Sequence, residues 1–142
     1  MENLENIVEP KIFNIKQNKN SNISGILNVI ENGEHILFNL KRIFYVHGAE
    51  IGTIRGNHAN MKQAMIILSI TGSHKIDLEI NSRHYNFNMS SINEYLVVPK
   101  KTWIKYEVTS PNSILLVLCH DVFKSNDYIN DYNLFKKNES ML

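Results

Sequence analysis

Residues 65–80 read MIILSITGSHKIDLEI, and this stretch decides the fold. Its second half, residues 75–80, alternates strictly, with Ile76, Leu78 and Ile80 on one face and charged residues on the other. Such alternation is typical of a β-strand that buries one face. Residues 65–70 form an almost continuous apolar run, and TGS at residues 71–73 is a turn signal between the two segments. We therefore predict two strands joined by a turn.

Comparable segments extend through the chain on both sides of this stretch. Further strands are predicted at residues 25–30, 35–38, 41–47, 84–89, 95–98, 103–108 and 113–118. Short strands at regular spacing, with turns between them, are typical of an antiparallel sandwich or barrel. Residues 127–135 differ, because Tyr128, Tyr132 and Phe135 recur at helical intervals behind Asp127, a residue type favoured at helix N-caps. The sequence predicts an all-β jelly roll with a short C-terminal helix.

Composition limits the class of protein. The 142 residues are 43% hydrophobic and 20% charged with a formal net charge of +1, which indicates one globular domain without a basic surface for nucleic acid. The chain shows no apolar run of membrane-spanning length and no signal-peptide pattern, so we expect no membrane partner and a cytoplasmic location. One cysteine, Cys119, excludes an internal disulfide and a zinc ribbon.

We expect three segments along the chain. Residues 1–22 form a polar N-terminal segment, either a short edge strand or a piece exchanged with a partner subunit. Residues 23–135 form the domain itself, and residues 136–142 form a polar tail.

The candidate site lies in RGNHANMK at residues 55–62. In a regular strand Gly56, His58 and Asn60 would share one face, and Arg55 would lie on the opposite face. If the first face points inward, an imidazole and an amide enter the core, which costs desolvation unless both are hydrogen-bonded. The alternative is that backbone groups satisfy both side chains, or that they lie at an exposed rim. Asn is a weak ligand for transition metals, so we predict no metal site.

At this point the sequence resembles the nucleotide-sugar 3,4-ketoisomerases of the cupin class. The resemblance runs from about residue 23 to residue 135, and its most specific parts are RGNHA at residues 55–59 and DYINDY at residues 127–132. Supporting matches are KRIFY at 41–45, TGS at 71–73, Pro99 with Trp103, and LLVLCHD at 115–121. The resemblance implies a cupin-type jelly-roll β-barrel and a homodimer that exchanges N-terminal strands. It also implies action on a dTDP-linked 4-keto-6-deoxyglucose without a cofactor, as a step of deoxysugar or O-antigen biosynthesis.

The same resemblance implies roles for three residues. His58 is expected to be the base that removes a proton from carbon, and Asn60 occupies the position of a second family histidine, which shuttles the proton between oxygens. Tyr45 is expected to act as an acid or relay. Arg55 and Arg42 are the candidate substrate-binding cations, because their planar forks of donors suit a diphosphate or a developing enolate charge, and the alternative for Arg42 is a solvated strand residue. Trp103 is either a substrate-binding platform for a ring or a core residue.

The substitution at Asn60 leaves three functions open, because an amide does not titrate near neutral pH. The first is a 3,4-ketoisomerase that moves the ketone of a dTDP-6-deoxyhexose through an enediolate. The second is an epimerase of a keto-sugar nucleotide, which returns the proton to the same carbon. The third is a cupin that binds a sugar nucleotide without catalysis.

Overall fold

Strands dominate the computed structural model, which describes residues 1–140. The strands are β1 (Glu2–Asn3), β2 (Lys11–Asn14), β3 (Lys16–Lys19), β4 (Ile26–Val29), β5 (Ile36–Leu37), β6 (Arg42–Val46), β7 (Ile54–Asn60), β8 (Met65–Thr71), β9 (His74–Ile80), β10 (Arg83–Met89), β11 (Glu94–Val98), β12 (Thr102–Val108), β13 (Ile114–Cys119) and β14 (Tyr128–Ile129). The helices are α1 (Tyr132–Ser140) and two 3₁₀ turns, Leu4–Asn6 and Ser125–Asp127. Neither α1 nor any other helix within residues 1–140 has the length and hydropathy needed to cross a membrane.

The strands form a jelly roll. One sheet has the order β10-β9-β12-β7-β14, and the other has the order β2-β11-β8-β13-β6. The strands β6 to β13 form four nested antiparallel pairs, β6 with β13, β7 with β12, β8 with β11, and β9 with β10. This nesting is the pattern of a jelly roll, in which a long hairpin is wrapped into two facing sheets. The predicted all-β jelly roll with a short C-terminal helix is confirmed.

The core lies between the sheets, as the alternation predicts. Ile76 and Leu78 are 0% and 2% exposed, and they pack in the main cluster with Ile67 and Leu115. The other face of β8 is also buried, because the N-terminal segment covers it with Leu4, Ile7 and Ile15. Two-sided burial explains why residues 65–70 are apolar at consecutive positions. Within this single chain, β2 extends the second sheet by pairing with β11. Exchange of this segment between subunits stays a prediction.

The predicted start of the C-terminal helix is wrong. The helix begins at Tyr132, and Asp131 caps it by accepting hydrogen bonds from the backbone N–H groups of Asn133 and Leu134, at 2.9 and 3.2 Å. Asp127 is instead buried in the preceding 3₁₀ turn, and the two residues after it form β14 on the edge of β7. Pairing with a strand distant in sequence overrides the local helical periodicity.

Candidate active site

A β-bulge in β7 determines which residues of this strand line the candidate site. Ile104 of β12 pairs with His58, whereas Lys105 pairs with Gly56, so Asn57 is an extra residue without a partner in the ladder. Gly56 and Asn57 have φ angles of 90° and 57°, a region that glycine and asparagine tolerate best. The extra residue shifts the alternation by one position.

The consequence of the bulge is a correction to the predicted faces. Strict alternation places Arg55 opposite His58, but in the structure both line the same cavity. A Cβ atom at position 56 would lie 2.8 Å from the carbonyl oxygen of Ile104, so only glycine fits where the two strands approach each other here.

The cavity has a volume of about 200 Å³ and opens between the two sheets. Most of its wall is apolar, and four of its lining residues carry polar groups. The lining residues are Phe44, Val46, Arg55, Gly56, His58, Met65, Ile67, Ile104, Tyr106, Leu115, Val117 and Tyr128. An apolar pocket with a few convergent polar groups is typical of a small-molecule site. A wider cleft of about 740 Å³, between residues 47–51 and 111–114, has none of the predicted site residues among its described lining.

His58 is arranged to act as a base. Burial lowers the pKa of its imidazole from the ordinary value, and a hydrogen bond with the Gly56 backbone offsets this effect in part. The imidazole is therefore neutral at neutral pH. A neutral imidazole has one unprotonated nitrogen, which can accept a proton. The ring centroid lies 4.9 Å from that of Tyr128.

Asn60 is held behind this wall by an acidic residue. Its Nδ2 donates to Oδ2 of Asp127 at 3.2 Å, and Oδ1 of Asp127 accepts from the backbone N–H of Lys62 at 2.6 Å. Asn60 is 3% exposed and is absent from the cavity lining, and its Oδ1 has no hydrogen-bond partner in the described chain. A side-chain carboxylate thus satisfies the amide nitrogen of Asn60, whereas the amide oxygen has no partner among the described residues.

Arg42 approaches the cavity through Tyr128. Its Nη2 lies 3.3 Å from the Tyr128 hydroxyl oxygen and 3.4 Å from Oε1 of Gln63. The guanidinium also lies 5.1 Å from the ring centroid of Phe44, which lines the cavity. Arg55 lines the cavity from β7. Burial raises the pKa of Tyr106, and the positive charge of Arg55 partly offsets this effect. The structure thus brings His58, Arg55 and Arg42 to one region.

Tyr45 and Trp103 do not reach this region. Arg42, Phe44 and Val46 face inward from β6, so Tyr45 faces outward and is 63% exposed. Trp103 precedes the inward-facing Ile104 and therefore lies on the outer face of β12. There its ring packs against two α1 residues, Tyr132 at 5.3 Å and Phe135 at 5.6 Å. Neither Tyr45 nor Trp103 is among the residues that line the cavity, and the packing of Trp103 against α1 fits the alternative of a core residue.

Tyr128 is the cavity residue that sequence reasoning missed as a functional group. Its helical spacing to Tyr132 and Phe135 assigned it to α1, whereas β14 places it beside His58. The available signal was the DYINDY block at residues 127–132. It contains two pairs of an acidic and an aromatic residue, and the first pair, Asp127 and Tyr128, lies before the start of α1. Within residues 1–140, no group of three or more His, Cys, Asp or Glu side chains is arranged to hold a metal ion.

Comparisons with known proteins agree with this fold. A curated relative from Aneurinibacillus thermoaerophilus, TDP-4-oxo-6-deoxy-alpha-D-glucose-3,4-oxoisomerase, is 28% identical over 130 residues, 92% of each chain. A 3,4-ketoisomerase from Helicobacter canadensis superposes with a TM-score of 0.86 at 28% identity, over 94% of this chain and 99% of that one. The sugar 3,4-ketoisomerase QdtA from Thermoanaerobacterium thermosaccharolyticum, in complex with TDP, shares the fold with a TM-score of 0.85 at 23% identity, over 93% and 95% of the two chains. The family model described as "FdtA: WxcM-like, C-terminal" matches residues 9–140, and the chain belongs to that family.

Proposed function

We propose that this protein is a 3,4-ketoisomerase that moves the ketone of a dTDP-linked 6-deoxyhexose between C4 and C3. The observation that carries the proposal is His58, a neutral imidazole in a partly apolar cavity with an arginine on the same wall. The family membership and the activity named for the curated relative support the same reaction.

The first step of the reaction follows from the chemistry of the site. A hydrogen on the carbon next to a ketone is acidic enough for an imidazole to remove it, because the charge moves to the ketone oxygen. His58 takes this proton from C3, and an enediolate forms across C3 and C4. General-base catalysis of this kind contributes about 10²- to 10⁴-fold to the rate.

Two arginines provide positive charge for an anionic substrate. Arg55 is exposed at the cavity edge, where its planar fork of donors suits the diphosphate. Arg42 is not itself part of the cavity lining, but it lies against the hydroxyl of Tyr128, which is, and its charge favours an oxyanion beside that hydroxyl.

We further propose that the protein works in the cytoplasm as a homodimer. Apolar side chains are exposed on β4, at Ile26 and Leu27, and on the outer face of β6, at Ile43 and Tyr45. Exposed apolar groups of this kind are typical of surfaces that meet another protein. The product, a 3-keto sugar nucleotide, is the form that an aminotransferase of deoxysugar or O-antigen biosynthesis would accept.

A second candidate function is epimerisation of a keto-sugar nucleotide. The observation that favours it is Asn60, whose amide nitrogen is engaged with Asp127 and cannot relay protons. An enzyme with a base but no relay leaves the ketone where it was, and it epimerises the α-carbon when a proton returns to the opposite face of that carbon. A binding protein without catalysis would do neither.

Proton NMR in heavy water separates these functions. The purified protein is incubated with dTDP-4-keto-6-deoxyglucose, and both deuterium at C3 and the position of the ketone are followed. A ketoisomerase moves the ketone, an epimerase exchanges and inverts without moving it, and a binding protein changes nothing above the buffer control. We expect His58→Asn to abolish exchange, whereas His84→Asn, a change to an exposed histidine on β10, should retain it. Exchange that survives in His58→Asn rules out His58 as the base.

A further inference from the structure

The proposed reaction needs a second proton transfer that His58 does not perform. After C3 has lost its proton, the hydroxyl hydrogen on O3 must leave and the oxygen on C4 must gain one. Asn60 is an amide bound to Asp127, and Tyr45 lies on the outer face of β6. Among the described residues that line the cavity, the groups with a hydroxyl are Tyr106 and Tyr128.

Tyr128 is the better placed of these two hydroxyl groups. Its ring lies 4.9 Å from the imidazole of His58, and the two rings are inclined by 58°, so base and phenol border the same volume. Its hydroxyl oxygen lies 3.3 Å from Nη2 of Arg42. The ring of Tyr106 instead lies 6.1 Å from that of His74, and burial raises the pKa of its hydroxyl.

We propose that Tyr128 is the second acid–base residue of the site and carries the proton between the two substrate oxygens. This inference rests on the proposed ketoisomerase function and assigns a residue to its second step. A tyrosine performs this task because its hydroxyl is both a donor and an acceptor. The guanidinium of Arg42 stabilises the negative charge that develops on the phenol oxygen during the transfer.

The step balances without any external reagent. His58 removes the C3 proton, and the electron pair of the C–H bond forms the C3–C4 double bond while O4 becomes an oxyanion. Tyr128 gives its phenolic proton to O4 and then takes the hydroxyl proton from O3. The O3 oxyanion re-forms a carbonyl at C3, and C4 takes the proton held by His58. Both residues end in the protonation states in which they began.

The substitution Tyr128→Phe tests the inference, because it keeps the ring against His58 and removes only the hydroxyl. We expect deuterium exchange at C3 to stay within about threefold of wild type, while ketone transfer falls about 100-fold or more. The matched control is Tyr85→Phe, which removes a hydroxyl from a β10 residue that is absent from the cavity lining, and it should change neither rate. A second variant, Arg42→Gln, keeps the phenol but removes the charge beside it. Because that charge also favours the substrate oxyanion, both rates should fall, and ketone transfer should fall at least tenfold further than exchange.

Each result decides between named alternatives. Ketone transfer within threefold of wild type in Tyr128→Phe overturns the inference. A parallel loss of exchange and transfer also overturns it, because the phenol would then only position His58. If Tyr128→Phe does not fold, Arg42→Gln decides in the same way. A wild-type protein that moves no ketone refutes the proposed function, and the inference fails with it, whereas an active wild type and an active Tyr128→Phe refute the inference alone.

Discussion

Alanine at position 56 should cost more stability than alanine at position 52, although both glycines have similar backbone angles. Their φ values are +90° and +87°. A Cβ atom at Gly56 would lie 2.8 Å from the carbonyl oxygen of Ile104, whereas one at Gly52 would meet nothing within 4 Å. The Gly52→Ala variant therefore isolates the backbone cost, and Gly56→Ala adds the close approach of β12.

The magnitudes follow from these two contributions. An L-residue in the left-handed region costs about 1–2 kcal/mol, which is the expected loss in the free energy of unfolding for Gly52→Ala. A clash with main-chain atoms that cannot move aside adds about 1–3 kcal/mol. The expected loss for Gly56→Ala is thus about 2–5 kcal/mol.

Urea denaturation followed by circular dichroism measures both values, with equal m-values as the check that the denatured states are comparable. Because the bulge puts Arg55 and His58 on one wall, Gly56→Ala should also weaken binding of thymidine diphosphate, and Gly52→Ala should not. Losses that agree within about 0.5 kcal/mol for the two variants would refute the argument that the strands touch at position 56.

Three further predictions concern titration and packing. Burial lowers the pKa of His58, so the base stays neutral to lower pH than an exposed histidine does. The acid limb of the kcat/KM profile should therefore lie below the ordinary histidine value of about 6.5. A limb at or above that value contradicts the assignment of His58 as the base. Burial also lowers the pKa of His74, whose Nδ1 lies 2.7 Å from the Ser69 hydroxyl, so the unfolded state binds more protons. The free energy of unfolding should then decrease as the pH falls from about 7 to about 5, with a shallower slope in His74→Asn than in wild type, and equal slopes would exclude this contribution. Trp103→Ala should lower the free energy of unfolding by about 2–4 kcal/mol, because contacts with α1 are lost. It should change the dissociation constant for thymidine diphosphate less than twofold. A tenfold increase in that constant would place Trp103 in the binding site.

The fold was predictable because its signals are local. Alternation in β9 marks its buried face, and this residue pattern is enough to identify a half-buried strand. The second buried face of β8, which the N-terminal segment covers, was also indicated by the sequence, because residues 65–70 form an almost continuous apolar run. The start of α1 was not predictable in this way, because Tyr128 lies outside the helix only as part of β14, which pairs with β7.

The site was predictable in part. His58 and Arg55 lie where the motif suggested a site, but strict alternation assigned them to opposite faces, because the bulge depends on positive φ angles at Gly56 and Asn57. A Gly-Asn pair inside a strand pattern is a signal for such a bulge. Strand parity could have separated Tyr45 from Arg42, since residues three apart in one strand face opposite sides. Tyr128 required the tertiary structure.

The pairing of β14 with β7 also determines when the site comes into existence. The contacts of Asp127 with Asn60 and of Tyr128 with His58 join residues about seventy positions apart in the chain. When β7 has just emerged from the ribosome, His58 has been synthesised, but Asp127 and Tyr128 have not. Long-range pairing of this kind forms late and slowly. The growing chain thus cannot carry out the proposed chemistry until its last strand has emerged, and a truncation before residue 127 removes one wall of the site rather than a dispensable tail.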